Sequence, residues 1–219
     1  VYSGPVVSIW ISPRPETLTA GSSILLTATG NDSLSNVNYS WMPLWTIVEG
    51  SGDLIGSGLS VTFIGNTTGL VNVTCSNPAT GAVDFLLIQI VPGTLVRIEI
   101  SASSIPLVIR EAESEVLTAT GYDVHDNVVG LSGATWDTNT SGTVTGSGPS
   151  AVFTAGFVPE VGVVNVRLGG VVGTLEVIVL NSLYGPWIVP IPAQIRNEDS
   201  GSWDLSLSGY WQDVNGPAS

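Results

Sequence analysis

The pentapeptide Leu-Thr-Ala-Thr-Gly stands at 26–30 and again at 117–121, 91 residues later. The echo runs on through both halves. Trp45 answers to Trp136, Gly56-Ser57-Gly58 to Gly146-Ser147-Gly148, and Phe63 to Phe153. Val71-Asn72-Val73 answers to Val164-Asn165-Val166, Gly81 to Gly173, and Ile9-Trp10-Ile11-Ser12 to Ile98-Glu99-Ile100-Ser101. A period near 90 is too long for a solenoid repeat and matches a whole small domain. Whatever fold one half adopts, the other must share. A unit of that length buries roughly 60–65% of its unfolded surface, enough for a modest core.

The local pattern inside each half is that of strands. In Ser23 to Thr29, Ile24, Leu26 and Ala28 fall on one face, the two-residue period of a half-buried strand. Leu59, Val61 and Phe63 repeat that pattern, as do Val71, Val73 and Cys75. Further strands are expected at 6–12, 37–41 and 82–91, with 16–21 as a short strand and turn, Gly30-Asn31-Asp32 as a turn and Trp45 closing the region after Trp41. The second half predicts strands at 95–102, 114–120, 128–136, 151–155, 162–168 and 173–180. The 26 glycines and the Asn, Asp and Pro clusters punctuate these runs every 8 to 12 residues. About seven short strands per unit is the pattern of a two-sheet sandwich. No apolar pattern of helical period extends over ten residues. Pro92-Gly93 links the halves, and a linker that short implies two units meeting end to end.

Charge is sparse and one-sided: 18 acidic residues against 5 arginines, with no lysine and a net charge of −13. A nucleic-acid partner requires a basic stripe, which this chain lacks. The longest apolar run, 85–91, is interrupted by Gln89 and too short to span a bilayer. Residue 1 is valine, so the sequence is expected to be a processed form or a piece of something longer. Cys75 is the single cysteine and excludes an intrachain disulfide. It lies on the apolar face of its strand, where a thiol acts as a small hydrophobe; a bridge between two chains is the other use open to it.

No catalytic constellation is evident, and no catalytic residue is assigned. The one histidine, His125, sits in Asp123-Val124-His125-Asp126-Asn127, whose composition is that of a turn. The counterpart in the first half, Asn31-Asp32-Ser33, has no histidine. Five sequons make Asn31, Asn38, Asn66, Asn72 and Asn139 candidate glycan acceptors. Three of these fall in expected turns, and Asn72 points away from the core if its strand is as read. Trp41, Trp45 and Trp136 are expected in or near the cores. Trp187, Trp203, Tyr210 and Trp211 cluster near the C-terminus and are candidate interface anchors, since aromatic anchors concentrate at interfaces.

Residues 95–180 resemble the bacterial and archaeal Ig-like repeats of large surface proteins. The match runs through Leu117-Thr118-Ala119-Thr120-Gly121-Tyr122-Asp123, Asn127-Val128-Val129, Ala134-Thr135-Trp136, Gly142-Thr143-Val144 and Gly146-Ser147-Gly148 to Phe153-Thr154-Ala155-Gly156. Residues 6–91 match more loosely, with an insertion before Trp45. The C-terminal stretch, with Asn197-Glu198-Asp199 and Asp213-Val214-Asn215-Gly216, resembles the opening of a cadherin-like module. That resemblance implies that Glu198, Asp199, Asp213 and Asn215 can ligate calcium, which takes six to eight oxygens. Asx turn capping is the plainer reading of the same residues, and Asp123 and Asp126 form a weaker calcium candidate.

The expected architecture is all-β: Ig-like unit 1–92, Ig-like unit 93–182, and a strand-rich extension 183–219. That extension would begin a cadherin-like module, dock within the chain, or add as a strand to a neighbour. No cofactor is called for beyond possible calcium. The resemblance implies an extracellular or cell-surface location and says little of activity, since one sandwich hosts many functions; with no catalytic constellation evident, the role expected is non-enzymatic and structural. The chain would be a subunit of a filament, pilus or surface layer, partnered by itself or by neighbouring surface-protein subunits. Two alternatives stand beside it: a stalk fragment of a large adhesin, and an accessory carbohydrate-binding module of a secreted hydrolase.

Overall fold

A computed structural model describes residues 3–181, together with the backbone of 187–188 and 211–212. The described chain is all-β, and its two halves form two sandwiches of identical topology. The first half contributes β1 (Ser8–Ser12), β2 (Thr17–Thr19), β3 (Ser23–Asn31), β4 (Val37–Asn38), β5 (Leu44–Glu49), β6 (Asp53–Ile55), β7 (Ser60–Ile64), β8 (Gly69–Ser76) and β9 (Val83–Val91). The second contributes β10 (Arg97–Ser101), β11 (Leu107–Arg110), β12 (Ser114–Tyr122), β13 (Val128–Val129), β14 (Thr135–Thr138), β15 (Thr143–Ser147), β16 (Ser150–Thr154), β17 (Glu160–Leu168) and β18 (Val171–Leu180). Two short strands, β19 (Trp187–Ile188) and β20 (Trp211–Gln212), pair antiparallel.

In the first unit, β1-β3-β7-β6 form one sheet with β4 alongside β3, and β2-β9-β8-β5 form the other. In the second, β10-β12-β16-β15 with β13 face β11-β18-β17-β14. Each strand has its counterpart nine places on. Both units include one parallel pair, β2 with β9 and β11 with β18. Alternation builds the cores. Ile9 and Ile11 point inward opposite Gly30 and Ala28, and Ile98 and Ile100 opposite Gly121 and Ala119. Phe63 and Phe153, the largest fully buried side chains, sit at matching places on β7 and β16. Burying a side chain of this kind contributes about 1.5–3 kcal/mol.

Each unit has nine strands where about seven were expected. Gly30-Asn31 is not a turn. β3 runs on to Asn31 because its ladder continues to Ser8 on one side and Val37 on the other. The turn lies instead at Asp32 to Asn36, where Ser35 takes a left-handed φ of 64°. The expected strand at 37–41 stops after Asn38, and Trp45 lies inside β5. The expected strand at 128–136 is two strands, β13 and β14, in opposite sheets. β11 and β15 had no clear alternation to mark them.

Register corrects two of the sequence echoes. Trp45 pairs with Cys75 and Trp136 with Val166, while Val73 pairs with Leu86 and Val164 with Leu175. The true counterparts are therefore Val73-Thr74-Cys75 and Val164-Asn165-Val166. The sequence echo had slipped by two residues, a shift that keeps the same face inward. Gly81 likewise is not the partner of Gly173. It lies in the loop between β8 and β9, residues 77–82, which the second unit replaces with Gly169-Gly170.

Candidate functional site

The feature with the most polar organisation is a carboxylate cage that occurs once in each unit. Asp32 Oδ2 accepts from the Gly4 N–H at 2.8 Å, and its Oδ1 accepts from the N–H groups of Leu34 and Asn36, each at 2.9 Å. The Asn36 amide also donates to both carboxylate oxygens. Asp123 repeats this with Gly93 at 2.7 Å, His125 at 2.8 Å, Asn127 at 3.0 Å, and the Asn127 amide. Each Asp ties the incoming chain to the tight turn that follows its own strand, through charge-assisted bonds to backbone donors. Bonds from Gly4, Asn36 and Leu34 hold the Asp32 carboxyl down at about 2. For Asp123 burial pushes upward, and the bonds from Asn127, Gly93 and His125 together outweigh it, again giving about 2.

The second cage does more than the first. Asn127 Nδ2 donates to the carbonyl of Asn66 at 2.7 Å, and Asn127 Oδ1 accepts from the N–H of Thr68 at 2.9 Å. Both partners lie in the turn between β7 and β8 of the first unit. One buried amide thus closes the joint between the sandwiches. His125 is seated against Gly21, where an added Cβ would fall 2.5 Å from Nε2. Gly21 also takes a φ of 81°, a conformation that glycine adopts without strain. The Pro92-Gly93 linker runs through this joint, its Gly93 N–H held by Asp123. His125, read from sequence as a plain turn residue, is a turn residue that also packs across the joint. The signal for it was present in Asp32-x-x-x-Asn36 and Asp123-x-x-x-Asn127, a spacing shared by the two halves.

Among the sequence candidates, Asn38 and Asn139 are engaged by their side chains. Asn38 Nδ2 donates to Gly4 and its Oδ1 accepts from Ser40, while Asn139 Oδ1 accepts from Val163. Asn139 is exposed and Asn31 half-buried at the end of β3. Asn66 stands in the joint. Asn72 faces away from the core, yet its Oδ1 is covered and has no hydrogen-bond partner. Trp41 is buried, and its indole N–H lies where a Cβ on Gly30 would stand, at 2.7 Å. Trp45 and Trp136 pack against their cores and donate to Gly58 and Gly148, the closing residues of the duplicated Gly-Ser-Gly. Cys75 is fully buried, and burial followed by the charge of Asp84 pushes its thiol up to about 12.

Glu198, Asp199, Asp213, Asn215, Trp203 and Tyr210 lie outside the described residues, as do the side chains of Trp187 and Trp211. Among the described residues, no three His, Cys, Asp or Glu side chains group as a metal site. No described helix is long and apolar enough to cross a membrane.

No family model matches the chain, and no curated protein sequence matches it. Solved structures do share its fold. The Escherichia coli adhesin FdeC aligns with a TM-score of 0.54 and 18% identity, over 81% of this chain and 66% of that one, just under two thirds. Domains 5–6 of the S-layer protein SbsC align with a TM-score of 0.35 and 16% identity, over 82% and 99% of the two chains. Mouse cadherin-23 EC22-24 aligns with a TM-score of 0.45 and 12% identity, over 80% and 64%. The likeness is one of fold: this chain is two tandem β-sandwiches similar to the Ig-like domains of bacterial adhesins.

Proposed function

We propose that the chain is a structural component of an extracellular surface assembly, a filament, pilus or surface layer, built from Ig-like units at 1–92 and 93–182 and the segment 183–219. The observation that carries this reading is the joint. Asn127 fixes the two sandwiches end to end through side-chain bonds to a neighbour's backbone, a geometry that sets a spacing between units. The fold likeness to the adhesin FdeC supports a surface location. An acidic surface without lysine favours solubility in a crowded polar exterior and disfavours nucleic acid.

A second reading, a spacer in the stalk of a larger adhesin, is favoured by the same joint, because the joint lies within one chain and needs no self-association. Electron microscopy of the concentrated full chain separates the two. Filaments or ordered sheets are expected for an assembly subunit. Dispersed particles with a protease-sensitive C-terminal segment would replace that reading with the stalk. Turnover of any polysaccharide or peptide by the purified chain would overturn both.

A further inference from the structure

The Asp32–Asn36 cage is one half of a joint with nothing seated on it among the described residues. Its counterpart, Asp123–Asn127, has the same bonds and is occupied. The difference is one amide: Asn127 Oδ1 accepts from Thr68, whereas Asn36 Oδ1 accepts from no described residue. At the other end of the molecule stands the matching half. The turn between β16 and β17 bends at Phe157-Val158, as the joint turn bends at Thr67-Thr68. Counted from the equivalent phenylalanines, Gly156 and Val158 stand at the positions of Asn66 and Thr68, in a turn that is one residue longer, 155–159 against 65–68. The support beneath the two turns is similar but not identical. Gly21 N–H donates to Gly65 at 2.9 Å, whereas Ala112 N–H is shared between the carbonyls of Ala155 at 3.2 Å and Gly156 at 3.3 Å, so the Gly156 oxygen would take the Asn36 amide on its second lone pair. Gly21 and Ala112 both hold left-handed backbones, with φ of 81° and 62°.

We propose that the Asn36 loop of one copy seats on the Ala155–Pro159 turn of a second copy, repeating the internal joint between molecules, head to tail. This deepens the assembly reading and rests on it. The residues that differ between the two joints change together. Inside the chain, polar His125 lies over bare Gly21. Between copies, Leu34 takes the place of His125 and meets the methyl group of Ala112. Leu34 is 80% exposed and Phe157 81% exposed, so each end carries an uncovered apolar residue beside its polar clamp. The two faces are different surfaces on opposite ends, so the contact is heterologous and adds subunits without closing on itself.

Sedimentation equilibrium of the full chain tests this. The wild-type mass should rise with concentration. Leu34→Arg, at an exposed site outside the core, and Asn36→Ala should each weaken association by about tenfold or more, as loss of one clamped contact does. Phe157→Asp should do the same from the other end. An equimolar mixture of Leu34→Arg and Phe157→Asp retains one good face on each chain, so it should form pairs and stop there. Circular dichroism of each variant checks that it remains folded. Wild-type association that none of the three variants weakens overturns this joint and leaves the assembly reading standing. A wild-type chain that stays monomeric at every concentration overturns both.

Discussion

Asn127→Ala offers the sharpest test of the joint, because Asn36→Ala is a built-in control. Both substitutions remove an amide that donates to its own cage carboxylate, at 3.0 and 3.2 Å for Asn127 and 3.1 and 3.3 Å for Asn36. Only Asn127→Ala also removes two bonds to the other unit, at 2.7 and 2.9 Å. A buried hydrogen bond contributes about 0.5–1.5 kcal/mol net, so the two together hold the joint by about 2 kcal/mol. That corresponds to an opening equilibrium shifted about thirtyfold. The Thr68 amide reports it directly, since its hydrogen is the one donated to Asn127. In dilute solution, hydrogen exchange at Thr68 should accelerate about thirtyfold in Asn127→Ala, the same estimate, and remain at the wild-type rate in Asn36→Ala. Equal Thr68 exchange in wild type and Asn127→Ala would refute the claim that this amide holds the units together. Equal acceleration in both variants would show that loop stability, not the joint, controls the exchange.

Gly21→Ala should lower the melting temperature more than Gly58→Ala. Both glycines have φ near 80°, but only Gly21 places a Cβ against His125, while Gly58 faces open space; differential scanning calorimetry gives the comparison. The depressed Asp32 and Asp123 carboxyls contribute stability that is complete above the ordinary carboxylate range near 4 and is lost as pH falls toward 2. Asp32→Asn and Asp123→Asn should each flatten the melting temperature across that window, and a slope equal to wild type would refute the cages as its source. Cys75 should resist a thiol reagent at pH 8 in the folded chain and react fully in denaturant, since both burial and a thiol near 12 withhold the thiolate. Phe63→Ala and Phe153→Ala should each cost about 3–5 kcal/mol in denaturant titrations, the range for emptying a fully packed aromatic site.

The duplication and the sandwich were legible because alternation and repeated landmarks are local signals. Leu26, Phe63, Trp45 and their partners carry them without any knowledge of pairing. What the sequence hid depends on contacts far along the chain. Asn31 looks like a turn residue, and becomes a strand residue only because Ser8 and Val37 flank it. β11 is four residues whose pairing partner, β18, lies some 70 positions away. The slip between Val71-Asn72-Val73 and its true counterpart follows from a period of two, which preserves the inward face under a two-residue shift. The joint was half visible. The shared Asp-x-x-x-Asn spacing stands in the sequence, but only geometry shows one asparagine reaching across to Asn66 and Thr68. The calcium ligands Glu198, Asp199, Asp213 and Asn215 and the C-terminal aromatic anchors concern residues 183–219, on which the described structure bears only through the β19–β20 pairing; of the weaker calcium pair, Asp123 is engaged in its cage and Asp126 is ion-paired with Arg97.

The parallel pairs β2–β9 and β11–β18 have a mechanical consequence. In each unit, a strand near the chain's entry lies alongside the strand by which it exits, Thr17 to Thr19 beside Gln89 to Val91 and Leu107 to Arg110 beside Val177 to Leu180. Tension applied through the two ends therefore drags these neighbours past each other lengthwise. Every bond between them must stretch together, where a hairpin pulled open from one end yields bond by bond. Each sandwich is thereby clamped against being drawn out along its own axis.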